Sequence, residues 1–215
     1  AAETKYSKSD CGGAVKEFSS YLNSFPNGGF ALNAHFYRGE CLFRQNEFDA
    51  SLDDYEFVAD QPQNRFTEKS LLNAARINYV QKKDYAKAYH YYEVLGENAE
   101  FKTNNLEAYK GMMYSAYYLN HYSDATAAAQ HILSMDNAKS DDQTEAHYYL
   151  AKIALSQNDL TKAFSEFSSV AKEKSVIGAE ASYSMAEIYY KQNNLKAAES
   201  QCYAVIKQKP TYDFW

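Results

Sequence analysis

Five histidines, three cysteines and two adjacent aspartate pairs are the side chains of this sequence best suited to chemistry. His35, His90, His121, His131 and His147 are scattered, and they form neither an H-E-x-x-H pattern nor a His/Cys spacing that would hold zinc. His121 falls at a turn and His147 on a helix, which suits capping or surface roles. Cys11, Cys41 and Cys202 are far apart in sequence and contain no C-x-x-C pair. They read as small buried hydrophobes, not as a disulfide framework. Asp53-Asp54 and Asp141-Asp142 read as solvated charge or as helix N-terminal charge favoured by the helix dipole, not as acid/base dyads. No G-x-G-x-x-G, Walker loop or G-x-S-x-G occurs. These patterns predict a chain without catalytic residues, metal or cofactor. Recognition chemistry is better supplied, with 21 Tyr and 12 Phe in 215 residues. Tyr combines a large area and a hydroxyl with little rotamer entropy to lose.

The elements that must position these aromatics are set by a period. Ala14, Ser51, Ala88, Ala125, Ala163 and Ala198 are separated by 37, 37, 37, 38 and 35 residues. Cys11, Phe48, Tyr85, Tyr122, Leu160 and Leu195 stand three positions before them, and Phe18, Tyr55, Tyr92, Phe167 and Cys202 four positions after. A period of this size means stacked supersecondary units, each burying its apolar face only against its neighbours.

Residues 67–97 display one unit. From Thr67 to about Gln81, Leu71, Leu72, Ala75, Tyr79 and Val80 recur at helical spacing. Lys82-Lys83-Asp84 interrupts the pattern, and Asp84 can cap the next helix. Tyr85, Ala88, Tyr92 and Leu95 then mark one face of a second helix, which Gly96 is expected to end in the left-handed conformation. The equivalent turns are Gln45-Asn46-Glu47, Leu119-Asn120-His121, Gln157-Asn158-Asp159 and Gln192-Asn193-Asn194, with Asn where a left-handed residue is needed. The small residue lets paired helices approach to roughly 8–10 Å.

Composition narrows the partners. A net charge of −6 and the absence of a Lys/Arg cluster argue against nucleic acid and against an anionic membrane surface. Hydrophobic residues make up 46 %, yet no apolar run approaches the roughly 20 residues of a membrane span.

Phe36-Tyr37-Arg38-Gly39-Glu40 through Phe48-Asp49-Ala50-Ser51, and Ile188-Tyr189-Tyr190-Lys191-Gln192-Asn193 through Ala198 to Pro210, resemble the tetratricopeptide repeat (TPR). The signature Trp and most glycines are missing, and the units are about three residues longer than usual. The resemblance implies an all-α, right-handed superhelical solenoid of antiparallel helix pairs spanning 1–215. Its divisions are a partial unit 1–27, pairs at about 28–63, 67–100, 104–137, 142–175 and 178–210, and the start of a further helix at 211–215. The chain is expected to be a fragment of a longer repeat protein. Ser24-Phe25-Pro26-Asn27-Gly28-Gly29-Phe30-Ala31-Leu32-Asn33-Ala34 is similar to the connector of periplasmic Tol–Pal-associated and outer-membrane assembly repeat proteins of Gram-negative bacteria. The long Tyr- and Asn-rich repeats also resemble repeat proteins of Bacteroidetes. That likeness implies the periplasm or the inner face of the outer membrane, with the cytoplasm as the alternative.

In the resembled family the first helices of successive units line a concave surface. The inward-facing set implied here begins with Phe36, Glu40, Phe43 and Arg44, followed by Asn73, Ile77, Val80 and Gln81. In the third complete unit Tyr109, Met112, Met113 and Ala116 pack, leaving Lys110, Tyr114, Tyr117 and Tyr118 on the other face. Tyr148, Lys152, Leu155 and Ser156, then Tyr183, Glu187, Tyr190 and Lys191, complete the groove. It is expected to bind a peptide, a protein, or another part of the same full-length protein. The sets carry no coherent basic pair for a carboxylate clamp. The sequence therefore predicts a non-catalytic protein-interaction scaffold in envelope assembly. The alternative is a docking or sensory module of a multidomain signalling protein. A third reading, glycan capture, is disfavoured by the single Trp.

Overall fold

The structure, a computed structural model, describes residues 1–207. Those residues form twelve α-helices and no strand, and the chain divides into two compact units at Gly111. The expected helix at 211–215, Pro210 and Trp215 lie outside the described residues.

In the first unit the helices are α1 (Ala2–Ser7), α2 (Cys11–Ser24), α3 (Ala31–Arg44), α4 (Phe48–Ala59), α5 (Thr67–Arg76) and α6 (Tyr85–Asn98). The helix α7 (Lys102–Tyr118) has residues in both units. The second unit continues with α8 (Tyr122–Ser134), α9 (Ser140–Ser156), α10 (Leu160–Val170), α11 (Val176–Lys191) and α12 (Leu195–Ile206).

All six small residues of the period are buried. The pair α3–α4 shows the reason. Gly39 of α3 lies against Ser51, Asp54 and Tyr55 of α4, and Ser51 Oγ donates to the Gly39 carbonyl at 2.9 Å. A larger residue at position 51 would have to displace the α3 backbone. The α6–α7 contact uses the same device with the sizes reversed. Tyr92, four residues after Ala88, lies flat over Gly111, where even a Cβ would collide with its ring. The core of the first unit is built on Phe36, Leu52, Tyr55, Val58, Phe66, Ala74 and Ile77. That of the second gathers Tyr148, Ala151, Ala154, Ala163, Phe167, Val170, Ala181, Met185 and Ile188.

The turns inside the pairs follow the chemistry of asparagine. Asn46, Asn120, Asn158 and Asn193 have φ of 63°, 59°, 59° and 59°. At each, two backbone bonds close the helix end: Asn46 N–H donates to Phe43 O, and Glu47 N–H to Leu42 O. The following residue opens the next helix, with the Asp159 and Asn194 side chains accepting from Lys162 N–H and Ala197 N–H. Asp84 likewise accepts from Lys87 N–H.

Two expectations fail in the 67–97 unit. The first helix is not α-helical to Gln81: after Arg76 the turn Ile77–Lys82 widens into a π-helix. Buried Asn78 donates its side-chain amide to Ala74 O at 2.9 Å, a competing bond that loosens the regular ladder. The left-handed residue is then Lys83, φ 54°, and the closing bond runs from Asp84 N–H to Asn78 O, one residue longer than elsewhere. Gly96, in turn, does not end α6, and no glycine has positive φ among the described residues. The helix continues to Asn98 because Leu95 is fully buried, and the Gly96 carbonyl accepts the Asn105 side-chain amide at 2.8 Å.

Candidate functional site

Several residues expected in the groove are instead core. Phe36 stacks on Phe66 with ring centroids 4.2 Å apart, Ile77 is 1 % exposed, and Tyr148 belongs to the core of the second unit. No partner can reach these side chains from solvent. Each first helix meets both its own second helix and a neighbouring unit, so its buried stripe is wider than that of a helix packed on one side.

In the first unit the strip across the first helices is a set of internal ion pairs. Glu40 of α3 is buried. Its Oε1 accepts from Tyr55 Oη at 2.7 Å and Asn73 Nδ2 at 3.1 Å, and its other oxygen pairs with Lys69. The Lys69 Nζ also lies 5.7 Å from the centroid of the Phe36 ring. Burial, reinforced by the Glu40 charge, pushes the Tyr55 hydroxyl well above its ordinary range, so Tyr55 is a permanent donor. Glu40 and Asn73 therefore serve the fold. Arg44 is exposed and lies over Tyr6, 5.2 Å from the ring centroid, and Phe43 is half-buried against Phe48. Arg76 of α5 pairs with Glu107 of α7 at 2.9 Å, and Lys110 is half-buried. Val80 and Gln81 are exposed on the π-helical turn.

In the second unit the strip is aromatic. Tyr117 of α7 meets Tyr149 of α9 edge-on at 5.1 Å, and Tyr114 lies 5.1 Å from the same ring. Tyr114 Oη donates to Glu145 Oε2 at 2.5 Å. Lys152 of α9 holds its ammonium over two rings, 5.6 Å from Tyr117 and 5.1 Å from Tyr148, donates to Tyr148 Oη, and lies 3.7 Å from Glu180 of α11. The chain of contacts thus crosses three first helices, α7, α9 and α11. Burial raises the Tyr117 hydroxyl, and burial with the Glu180 carboxylate raises that of Tyr148, keeping both neutral. Beside this strip Tyr118 is 49 % exposed, its ring 5.7 Å from that of Tyr117, and further along α11 Tyr190 is 69 % exposed. Leu155 and Tyr183 are half-buried; Ser156, Glu187 and Lys191 are exposed. Tyr183, Glu187 and Tyr190 also line a cleft of about 440 Å³ between α11 and α12, with Leu195 and Cys202 opposite. What sequence reasoning missed here is Tyr149, which joins α7 to α9, and Glu180, which joins α9 to α11. Neither falls on the repeat positions used to choose groove residues.

The reactive residues take structural places. Asp54, read as solvated or N-terminal charge, is instead fully buried in the middle of α4. Arg38 grips both its oxygens at 2.9 and 2.7 Å, and His35 Nδ1 lies 2.6 Å from Oδ1. At the same position of the repeat, His147 Nδ1 is 2.7 Å from Glu166 Oε2. Both pairs tie a first helix to its second. Asp141 and Asp142 do occupy the first turn of α9, and Lys139 N–H donates to Asp142 Oδ2 at 3.0 Å. Among the described residues no group of three or more His, Cys, Asp or Glu could hold a metal, and no helix is long and apolar enough to cross a membrane.

Tandem antiparallel helix pairs with small-residue crossings define an all-α helical-repeat fold. Residues 112–176 match the model of the tetratricopeptide repeat family, and the fold as a whole is shared with solved structures of that type. YrrB, described as a TPR protein with an unusual peptide-binding site, superposes with a TM-score of 0.65 at 16 % identity, covering 93 % of this chain and 95 % of YrrB. A tetratricopeptide repeat protein from Parabacteroides merdae gives 0.64 at 18 % identity, over 96 % of this chain and 77 % of that one. PilW, a type IV pilus biogenesis factor, gives 0.61 at 15 % identity, over 97 % and 90 %. No curated protein matches the sequence.

Proposed function

We propose that the protein is a non-catalytic interaction scaffold that binds a peptide or protein segment along the tyrosine-rich first helices of its second unit. The observation that carries this is the strip from Tyr117 through Lys152 to Glu180, with exposed Tyr118 against Tyr117 and exposed Tyr190 further along α11. Buried Tyr148, half-buried Tyr117 and Tyr149 and the Lys152 cation form the floor, and the exposed rings offer area and hydroxyls at small entropic cost. In the first unit the corresponding cation, Lys69, pairs with buried Glu40 and lies over Phe36, a core ring that is not open to a partner. The peptide-binding site ascribed to YrrB supports this reading. An envelope setting, at the periplasm or the inner face of the outer membrane, is supported by the 24–34 connector and by the likeness to PilW.

Selection of a displayed random-peptide library on the immobilised protein tests the groove. Enriched peptides should lose at least tenfold in affinity for Tyr118→Ala/Tyr190→Ala, whose side chains are exposed, while circular dichroism is unchanged. Peptides retained with full affinity by that double variant would overturn the assignment. The envelope reading is checked separately, by fractionating cells that express the full-length gene.

A further inference from the structure

The two cysteines of the first helix layer are not independent buried hydrophobes. Cys11 is the first residue of α2, and Cys41 lies in the last turn of α3. These neighbouring helices bring the start of one against the end of the other. A Cβ on Gly12 would lie 3.9 Å from the Gln45 side-chain amide, just beyond α3, and Arg44 reaches back over Tyr6 of α1. Both sulfurs belong to one apolar cluster with Ala14, Phe18 and Ala34, Cys41 fully buried within it and Cys11 packed on its rim. Within that cluster the Cys11 sulfur lies near enough to the Cys41 thiol and to the Arg44 guanidinium to affect the proton affinity of both.

We infer that Cys11 and Cys41 form a thiol–disulfide redox pair, closed by a small disulfide oxidant such as oxidised glutathione. The half-buried member reacts first. The Cys11 thiolate attacks one sulfur of the oxidant, forming a mixed disulfide and expelling one glutathione thiolate, which takes up a proton. Cys41 then loses its proton to solvent and attacks the Cys11 sulfur, forming the Cys11–Cys41 bond and releasing the second glutathione thiolate. The protein dithiol is oxidised by two electrons, and one glutathione disulfide is reduced to two glutathione thiols. Burial and the Cys11 neighbour push the Cys41 thiol up to about 12, so the second step is the slow one and speeds up as pH rises. Closure staples α2 to α3 across the segment between them and restricts the unfolded chain. Cys202 belongs to the second unit and takes no part.

The test is equilibration of the full chain in glutathione buffers of graded redox ratio, followed by acid quench, alkylation, intact mass and peptide mapping. The expected product has lost two hydrogens and contains a single cross-link between the Cys11 and Cys41 peptides. Cys202→Ser should leave that product intact, and Cys11→Ser, at the half-buried position, should abolish it. The oxidised form should melt several degrees above the reduced form, with the difference removed by dithiothreitol. A glutathione adduct that persists on Cys11 without closure, three free thiols at the most oxidising ratio, or a cross-link through Cys202 would each overturn the inference.

Discussion

Replacing Lys83 with glycine should stabilise the protein, although it removes a side chain and adds a flexible residue. Lys83 is exposed and holds φ at 54°; with Ser9, at φ 61°, it is one of two sites among the six repeat turns where a residue other than asparagine takes that role. An ordinary L-residue there costs roughly 1–2 kcal/mol relative to the right-handed region. Glycine removes that cost but loses roughly 0.5–1 kcal/mol through the entropy of the unfolded chain. The net expectation is a gain of about 0.5–1 kcal/mol. Asn158, at φ 59°, is the control. Asparagine already tolerates the conformation, so Asn158→Gly should be close to neutral, whereas Asn158→Ala should lose about 1 kcal/mol. Urea titrations read by far-ultraviolet circular dichroism give all three as midpoint shifts at constant slope. A lower midpoint for Lys83→Gly, or equal losses for Asn158→Gly and Asn158→Ala, would refute left-handed strain as the origin of the pattern.

Alkaline pH should unfold the protein through its buried tyrosines. Burial pushes the Tyr92 hydroxyl up to about 12, against 10.0 for the free group, and Tyr55, Tyr91 and Tyr148 are displaced in the same direction. The folded state holds these protons more tightly than the unfolded chain, so stability is complete below about pH 10 and falls as pH rises toward 12. Urea midpoints measured across that window should decline, and Tyr92→Phe should make the decline shallower. Gly111→Ala should cost about 1–3 kcal/mol by forcing a methyl into the Tyr92 ring. Part of that loss should return in Gly111→Ala/Tyr92→Leu, measured as a coupling energy in a double-mutant cycle. Arg38→Leu leaves buried Asp54 facing His35 alone and should cost about 3 kcal/mol, with Arg38→Lys recovering only part because a lysine cannot grip both oxygens. Thermal melts of the three proteins check the order.

The features legible in the sequence were those whose cause is local. A small residue every 35 to 38 positions, and in four of the six repeats an asparagine five residues before it, answer to a helix crossing and to one backbone angle. Lys83 escaped notice because lysine carries no preference for the angle that it adopts. Gly96 misled for the opposite reason: its permissiveness suggested a helix end, but the groups that carry α6 past it are buried Leu95 and the side chain of Asn105. The groove depends on contacts between residues far apart in sequence, which no local pattern marks. Glu40 looked like a partner-binding carboxylate because its acceptors' partners, Lys69 and Asn73, lie about thirty residues ahead. Cys11 and Cys41 looked unrelated for the same reason.

The misplaced groove residues separate what builds a recognition surface from what lies on it. An apolar side chain contributes hydrophobic binding energy in proportion to the surface it removes from water, and Phe36, Ile77 and Tyr148 have almost none left to remove. Their effect on a partner must run through position: Tyr148 supports Lys152, which fixes Tyr117. Tyr148→Phe keeps the ring under the ammonium and removes the hydroxyl, which accepts from Lys152 and bonds the Glu180 carboxylate, so Lys152 should loosen without loss of the core. If the floor matters, that variant should weaken selected peptides by a few-fold, against tenfold or more for the exposed Tyr118→Ala/Tyr190→Ala pair. Unchanged affinity in Tyr148→Phe would mean that the Tyr148 hydroxyl, and the Lys152 position that it holds, have no role in binding.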